Sequence, residues 1–161
     1  MMKTRFDVAR VPLHFIFGLF LALLLSVLAG PASAQEPKKI AVLPFEVFGS
    51  EQRDLLQESI FSALHAELAR SKAVMPVDRD TILRLVAGRP LNEGTAAAVA
   101  KEIGAPYAVT GSVSQFGEVI SVDAKIIDLS KDRALPGIFV QGRGLEGIPG
   151  MASRLRGDLL L

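Results

Sequence analysis

The chain has no cysteine and no tryptophan, one tyrosine and two histidines among 161 residues. Without cysteine there is no disulfide framework and no thiol to carry a lipid, so neither a stapled scaffold nor a lipid anchor is expected. Of the two histidines, His14 falls in the N-terminal apolar segment. His65 is therefore the one imidazole available to a zinc site or to a Ser-His-Asp relay, and either would need several further groups around it. The lack of tryptophan and the single tyrosine argue against a large aromatic binding platform. Charge of one sign is also lacking, with 18 Lys and Arg against 17 Asp and Glu.

What is present begins at the N-terminus. Lys3, Arg5 and Arg10 precede an almost wholly apolar run from Leu13 to Leu28, and Ala32-Ser33-Ala34 follows. A basic start, an apolar centre and a small-x-small site make a secretory signal peptide. The expected organisation is a signal at 1–34, a cut between Ala34 and Gln35, and one domain at 35–161. The alternative is an uncleaved anchor, since the apolar run approaches the roughly 20 residues that span a bilayer. Cleavage removes three cationic and one anionic side chain, leaving 15 and 16 and a net charge of −1. Broad electrostatic capture of nucleic acid or anionic lipid is then not expected. Membrane contact would come only through the signal segment, if it is kept.

The rest of the chain reads as alternating strands and helices. "IAVLPF" is apolar at every position, as a strand buried on both faces would be, and Pro44 belongs at its C-terminal end because it has no N–H to give a ladder. Residues 46–50 read as a loop. Leu56, Ile60, Leu64 and Leu68 recur every four residues, with Leu55 and Ala63 widening the stripe. That spacing predicts an amphipathic helix, with Ser50 as its cap and Arg53 facing Gln57 on the polar side. Ala73–Val77 is a short strand. A helix capped by Asp78 or Asp80 and stopped at Gly88 follows, then the loop "RPLNEG" and a helix "TAAAVAKEIG".

Tyr107, Val109, Gly111 and Val113 share one parity, against Ala108, Thr110, Ser112 and Ser114. Gly117-Glu118 is a two-residue hairpin turn. The return strand sets Ile120, Val122, Ala124 and Ile126 on one face and Ser121, Asp123 and Lys125 on the other. "KDRALPG" reads as a loop, "IFVQGRG" as a last strand, and Ile148, Ala152, Leu155 and Leu159 as the inner side of a last helix. The fold class is α/β, a mixed sheet of about five strands with helices packed on it.

Taken together, "KKIAVLPFEV", "VMPVDRDTILRLV", "AKEIGAPYAVTGSV" and "GEVISVDAKIIDLSKDRAL" resemble the TolB amino-terminal domain family, related in outline to the CsgG and FlgO envelope proteins. The resemblance runs from about Lys38 to Leu161. It implies a fold similar to the anticodon-binding domain of class II synthetases, used in the envelope for contacts with other proteins. Neither the β-propeller that follows this domain in TolB nor the lipidated cysteine and membrane-spanning hairpins of CsgG-like pores is found in these 161 residues. What carries over is fold, compartment and a general interaction role.

The chemical candidates all have plainer readings. Gly142-x-Gly144-x-x-Gly147 follows a strand and precedes a helix, as a dinucleotide fingerprint does, but it closes the domain and has no acidic residue about 20 positions later. Asp78 and Asp80 stand before a helix, where capping accounts for them. Ser112, Ser114 and Ser121 lack a histidine partner other than His65. No catalytic residue, cofactor or metal ligand is expected. The candidate partner face is Ser121, Asp123 and Lys125, at which an envelope protein would be held, for instance by strand addition. A small-ligand or nucleotide module using the loops after Val47 and Val77, or a CsgG-like oligomeric secretion component, are the alternatives.

Overall fold

The computed structural model describes residues 36–160. Within them run β1 (Lys38–Val42), β2 (Glu46–Phe48), α1 (Arg53–Ala69), β3 (Val74–Pro76), α2 (Arg79–Val86), α3 (Glu93–Glu102), β4 (Tyr107–Phe116), β5 (Val119–Asp128), β6 (Arg133–Ala134), β7 (Ile138–Arg143) and α4 (Ile148–Leu159). The expected signal at 1–34 and its expected cut after Ala34 lie outside the described residues. No helix among the described residues is long and apolar enough to cross a membrane.

Seven strand segments fill five rows of one sheet, in the order β3, β1 with β2, β4, β5, and β6 with β7. β1 runs parallel to both β3 and β4, while β4 and β5 form an antiparallel hairpin, so the sheet is mixed. The hairpin turns at Gly117, whose φ of 58° suits the first central position of a type II′ turn. α1 and α4 pack against each other, α1 reaching β2 and β3 and α4 reaching β7. α3 packs on β1, β4 and β5, and α2 lies beside it.

Each of the two rows that flank the β4–β5 hairpin is broken once, by a segment that contains a proline. Val42 pairs with Val109 and Glu46 with Ser112, so three residues of the flanking row (Leu43, Pro44, Phe45) stand against two of β4. On the other side Ala134 pairs with Ile127 and Ile138 with Ala124, again three residues (Leu135, Pro136, Gly137) against two. Both are β-bulges. Because side chains alternate with period two, one extra residue exchanges the faces of everything beyond it. Phe45 and Val47 thereby join the covered face with Val113, and Glu46 and Phe48 join the other. Val140 turns to the covered face and Phe139 away from it. The two bulges sit at one level, beside the cross-strand pair Thr110–Lys125.

The bulges also explain two differences from the sequence reading. Residues 46–48 are a strand rather than a loop, because the ladder resumes one residue out of step after Pro44. Arg133–Ala134 within "KDRALPG" likewise pairs with the end of β5.

α1 buries Leu56, Ile60, Phe61, Leu64 and Leu68 as its period requires, but Leu55 is half exposed and lies off the stripe in the first turn. Its N-cap is Gln52, not Ser50. The Ser50 hydroxyl accepts the Gln52 N–H at 3.2 Å, which orders the approach to the helix. Gln57 faces inward from Arg53, donating to the Phe45 carbonyl at 2.6 Å. α3 begins at Glu93, earlier than expected, because Asn92 accepts the Thr95 N–H at 2.9 Å and caps it. Its other end is a Schellman motif: Gly104 has φ 65°, Ala105 N–H reaches the Ala100 carbonyl and Gly104 N–H the Lys101 carbonyl.

Candidate functional site

β4 and β5 carry two kinds of surface on their outer halves. One is buried under α1 and α4 and includes Val113, Ile120 and Val122, with Phe45, Val47 and Val140 from the flanking rows. Two glycines allow this packing. A Cβ on Gly111 would collide with the Asp123 carbonyl and crowd Phe45, and one on Gly142 would fall 2.8 Å from the Met151 sulfur.

The opposite surface has no helix over it among the described residues. The registers arrange it as a grid of four strands. Glu46, Ser112, Asp123 and Phe139 form one cross-strand line. Phe48, Ser114, Ser121 and Gln141 form the next. Phe116, Val119 and Arg143 form the last, beside the hairpin turn. At about 4.8 Å between strands and about 6.8 Å between alternate residues, the grid measures roughly 14 Å each way. Phe48 is 47% exposed, Phe139 56% and Phe116 89%. Of the five phenylalanines in the described residues, three therefore stand on this one face with small hydroxyl side chains between them. The expectation that no aromatic platform would form is corrected: counting aromatic residues does not show where they converge.

Ser121 and Asp123 lie inside this grid. The Ser121 hydroxyl accepts from the Gln141 amide at 2.9 Å, which ties β5 to β7 across the face. Lys125 stands at its border, where its ammonium meets the Glu93 carboxylate at 2.7 Å, and this contact raises its pKa. Its main partner is thus the first turn of α3 and not Asp123. Between that turn and the grid is a cavity of about 210 Å³ lined by Asn92, Glu93, Thr110, Ser112, Asp123 and Lys125. Thr110 is 3% exposed and its hydroxyl has no hydrogen-bond partner among the described residues.

The remaining candidates have structural duties. Asp78 caps α2, accepting the Thr81 N–H at 3.0 Å and the Thr81 hydroxyl at 3.1 Å, and these bonds lower its pKa. Asp80 lies in the first turn of the same helix. His65 is half-buried, its Nε2 at 2.9 Å from the Val77 carbonyl and its ring edge-on to Phe61. In the GxGxxG run, Gly142 makes room for Met151, Gly144 has φ 59°, and Gly147 N–H closes a turn on the Gly144 carbonyl. Among the described residues no three His, Asp or Glu side chains gather as a metal ion would require.

The parity that sets Phe116 with Ser112 and Ser114 was open to a sequence reader. The placing of Phe48 and Phe139 depends on the bulges and was not.

Known proteins share this architecture. TolB from Acinetobacter baumannii has a TM-score of 0.55 and 18% identity over 78% of this chain, which spans only 28% of the TolB chain. A PelC dodecamer from Paraburkholderia phytofirmans gives 0.52 and 20%, covering 81% of this chain and 92% of that one. Lipoprotein GNA1162 from Neisseria meningitidis gives 0.55 and 14%, covering 76% and 96%. At such identities the likeness is one of fold. No curated protein matches the chain in sequence. The model of the TolB amino-terminal domain family matches residues 31–135, well over half of the chain, and the protein belongs to that family.

Proposed function

We propose that this chain is a non-catalytic interaction domain of the bacterial cell envelope, exported by the signal at 1–34, which holds a partner protein against the open face of its outer half-sheet. One observation carries the reading: three of the five phenylalanines in the described residues stand exposed on a sheet face that no described helix covers. Aromatic side chains are enriched where protein interfaces bury their centres, and clustered exposed apolar groups mark such surfaces. Family membership and the N-terminal signal pattern support the compartment. The structural engagement of Asp78 and His65 supports the absence of catalysis.

The test places a photo-crosslinking side chain at Ser121 of the full chain in its native envelope. A discrete adduct is expected that disappears when Phe116 and Phe139 are both changed to Asp and persists when Leu55 is. Leu55 is equally apolar and half exposed but lies on α1. An adduct insensitive to the phenylalanines would overturn the reading.

A second reading has its own observation. A cavity of about 300 Å³ lies at the loop after Val77, between Lys39, Asp78, Thr81 and Ile103. That size reaches the lower end of the range of small-molecule pockets, about 300–1,000 Å³. A rise in melting temperature with any member of a nucleotide and metabolite panel, removed by Thr81→Trp, would favour it.

A further inference from the structure

Four segments of the sheet, β3, β2, β6 and β7, have a side with no strand beside it among the described residues, and the three longer ones are not equally closed. At β3, Lys38 N–H reaches the Ala73 carbonyl and Val77 N–H the Ile40 carbonyl. Odd-numbered residues therefore face β1, which leaves Val74 and Pro76 outward, and Pro76 has no N–H to offer a further strand. At β2 the outward carbonyl of Phe45 is taken by Gln57 of α1. At β7, Gly144 N–H donates to the Glu118 carbonyl in the register that pairs Gly142 with Ile120 and Val140 with Val122. Even-numbered residues thus serve the ladder, and Phe139, Gln141 and Arg143 turn their N–H and C=O groups outward. Among these, the Gln141 carbonyl alone has a partner within the described residues, the guanidinium of Arg154 from α4.

We propose that this β7 edge pairs antiparallel with the β7 edge of a second copy of the chain, about a two-fold axis at Gln141. This interface goes beyond the docking reading and does not rest on it.

The argument for the occupant is self-complementarity. With the axis at Gln141, Phe139 opposes the partner's Arg143 and Arg143 opposes the partner's Phe139. Gln141 opposes its own copy. All three side chains lie on the open face, so each end of the interface sets a guanidinium beside an aromatic ring, a favourable cation–π arrangement. Each Gln141 amide spends one N–H on Ser121 and keeps its carbonyl and second N–H for the other. No like charges meet on the open face, while on the other the two Arg154 guanidiniums are brought towards the axis. An axis shifted to Arg143 would instead oppose two guanidiniums. Pairing joins the two open faces into one surface on the same side of a continuous sheet. Arg154 is the competitor, since its bond to the Gln141 carbonyl must open before that carbonyl can pair.

The chain's lack of cysteine makes the test clean. Residues opposed in hydrogen-bonded antiparallel pairs have Cα atoms about 5.5 Å apart, within disulfide range, whereas residues four apart along the ladder are roughly 13 Å away. In the full chain, Gln141→Cys is expected to form a covalent homodimer under mild oxidation at least about tenfold faster than Phe139→Cys or Arg143→Cys alone, because only its two copies meet. Mixing the Phe139→Cys and Arg143→Cys proteins should restore fast coupling. Adding Arg154→Ala to Gln141→Cys should speed it, and adding Arg143→Glu should slow it. Folded Gln141→Cys protein, checked by circular dichroism, that stays uncoupled would overturn the proposal, as would equal coupling rates at all three positions.

Discussion

The two halves of the sheet use the same strands to opposite ends. In the inner half, Ala41, Val42, Ala108 and Val109 are fully buried, and helices lie on both faces. In the outer half, the same β4 and β5 are covered on one face alone. The difference comes from element length. β4, β5 and α3 are each ten residues long. A strand of that count spans about 33 Å and a helix about 15 Å, so a helix laid along the hairpin leaves half of it bare. Asn92, by capping α3 beside Thr110 and Lys125, fixes where cover stops. An apolar core and an open polar and aromatic face therefore need no separate modules here.

If this division is right, substitutions on the two sides must differ by several kcal/mol. Phe45→Ala, under α1 and α4, is expected to cost about 3–5 kcal/mol in denaturant unfolding, as buried phenylalanines do. Gly111→Val should follow at roughly 1–3 kcal/mol, since its side chain enters space held by the Asp123 carbonyl and Phe45. At the border, Thr110→Val removes a buried hydroxyl without a partner and should leave stability unchanged or raise it by up to about 1 kcal/mol. On the open face, Phe116→Ser should stay within about 0.5 kcal/mol. A large loss there would mean that the face is packed in the free protein, and the comparison would fail.

A pH measurement sharpens it from the inner end. Asp128 is 3% exposed and accepts from the Ser130 hydroxyl and N–H and from Lys131, which holds its carboxyl below the usual carboxylate range. A depressed folded pKa contributes stability above the unfolded value, near 3.9, that is lost as pH falls through the folded one. Unfolding followed from pH 6 downward should show this acid-side loss in the native chain and a shallower one in Asp128→Asn. Identical slopes would remove Asp128 from the account.

Much of this division was legible in the residues. The alternation in "VISVDAKIID" placed Ser121 and Asp123 opposite Ile120 and Val122, and the four-residue spacing of leucines located α1. The positive-φ glycines at 88, 104 and 117 stand where the stops and the hairpin turn were expected. What escaped the reading was non-local. Pro44 and Pro136 announce an interruption but not that the ladder resumes one residue out of step, which is decided by pairing with strands more than 60 residues away in the one case. Without that step Phe48 and Phe139 could not be assigned a face. Lys125 was read against its strand neighbours, and its partner Glu93 comes from a helix 32 residues earlier.

The paired bulges have a consequence for how such a surface changes over generations. Each restarts its row independently of the buried half, so one residue gained at Pro44 or Pro136, with the bulge kept at its present size, would exchange every outward side chain of that row for its neighbour while the inner register stays put. Phe45 and Val47 would be presented in place of Glu46 and Phe48. A single inserted codon at either position is enough to rewrite what the domain displays.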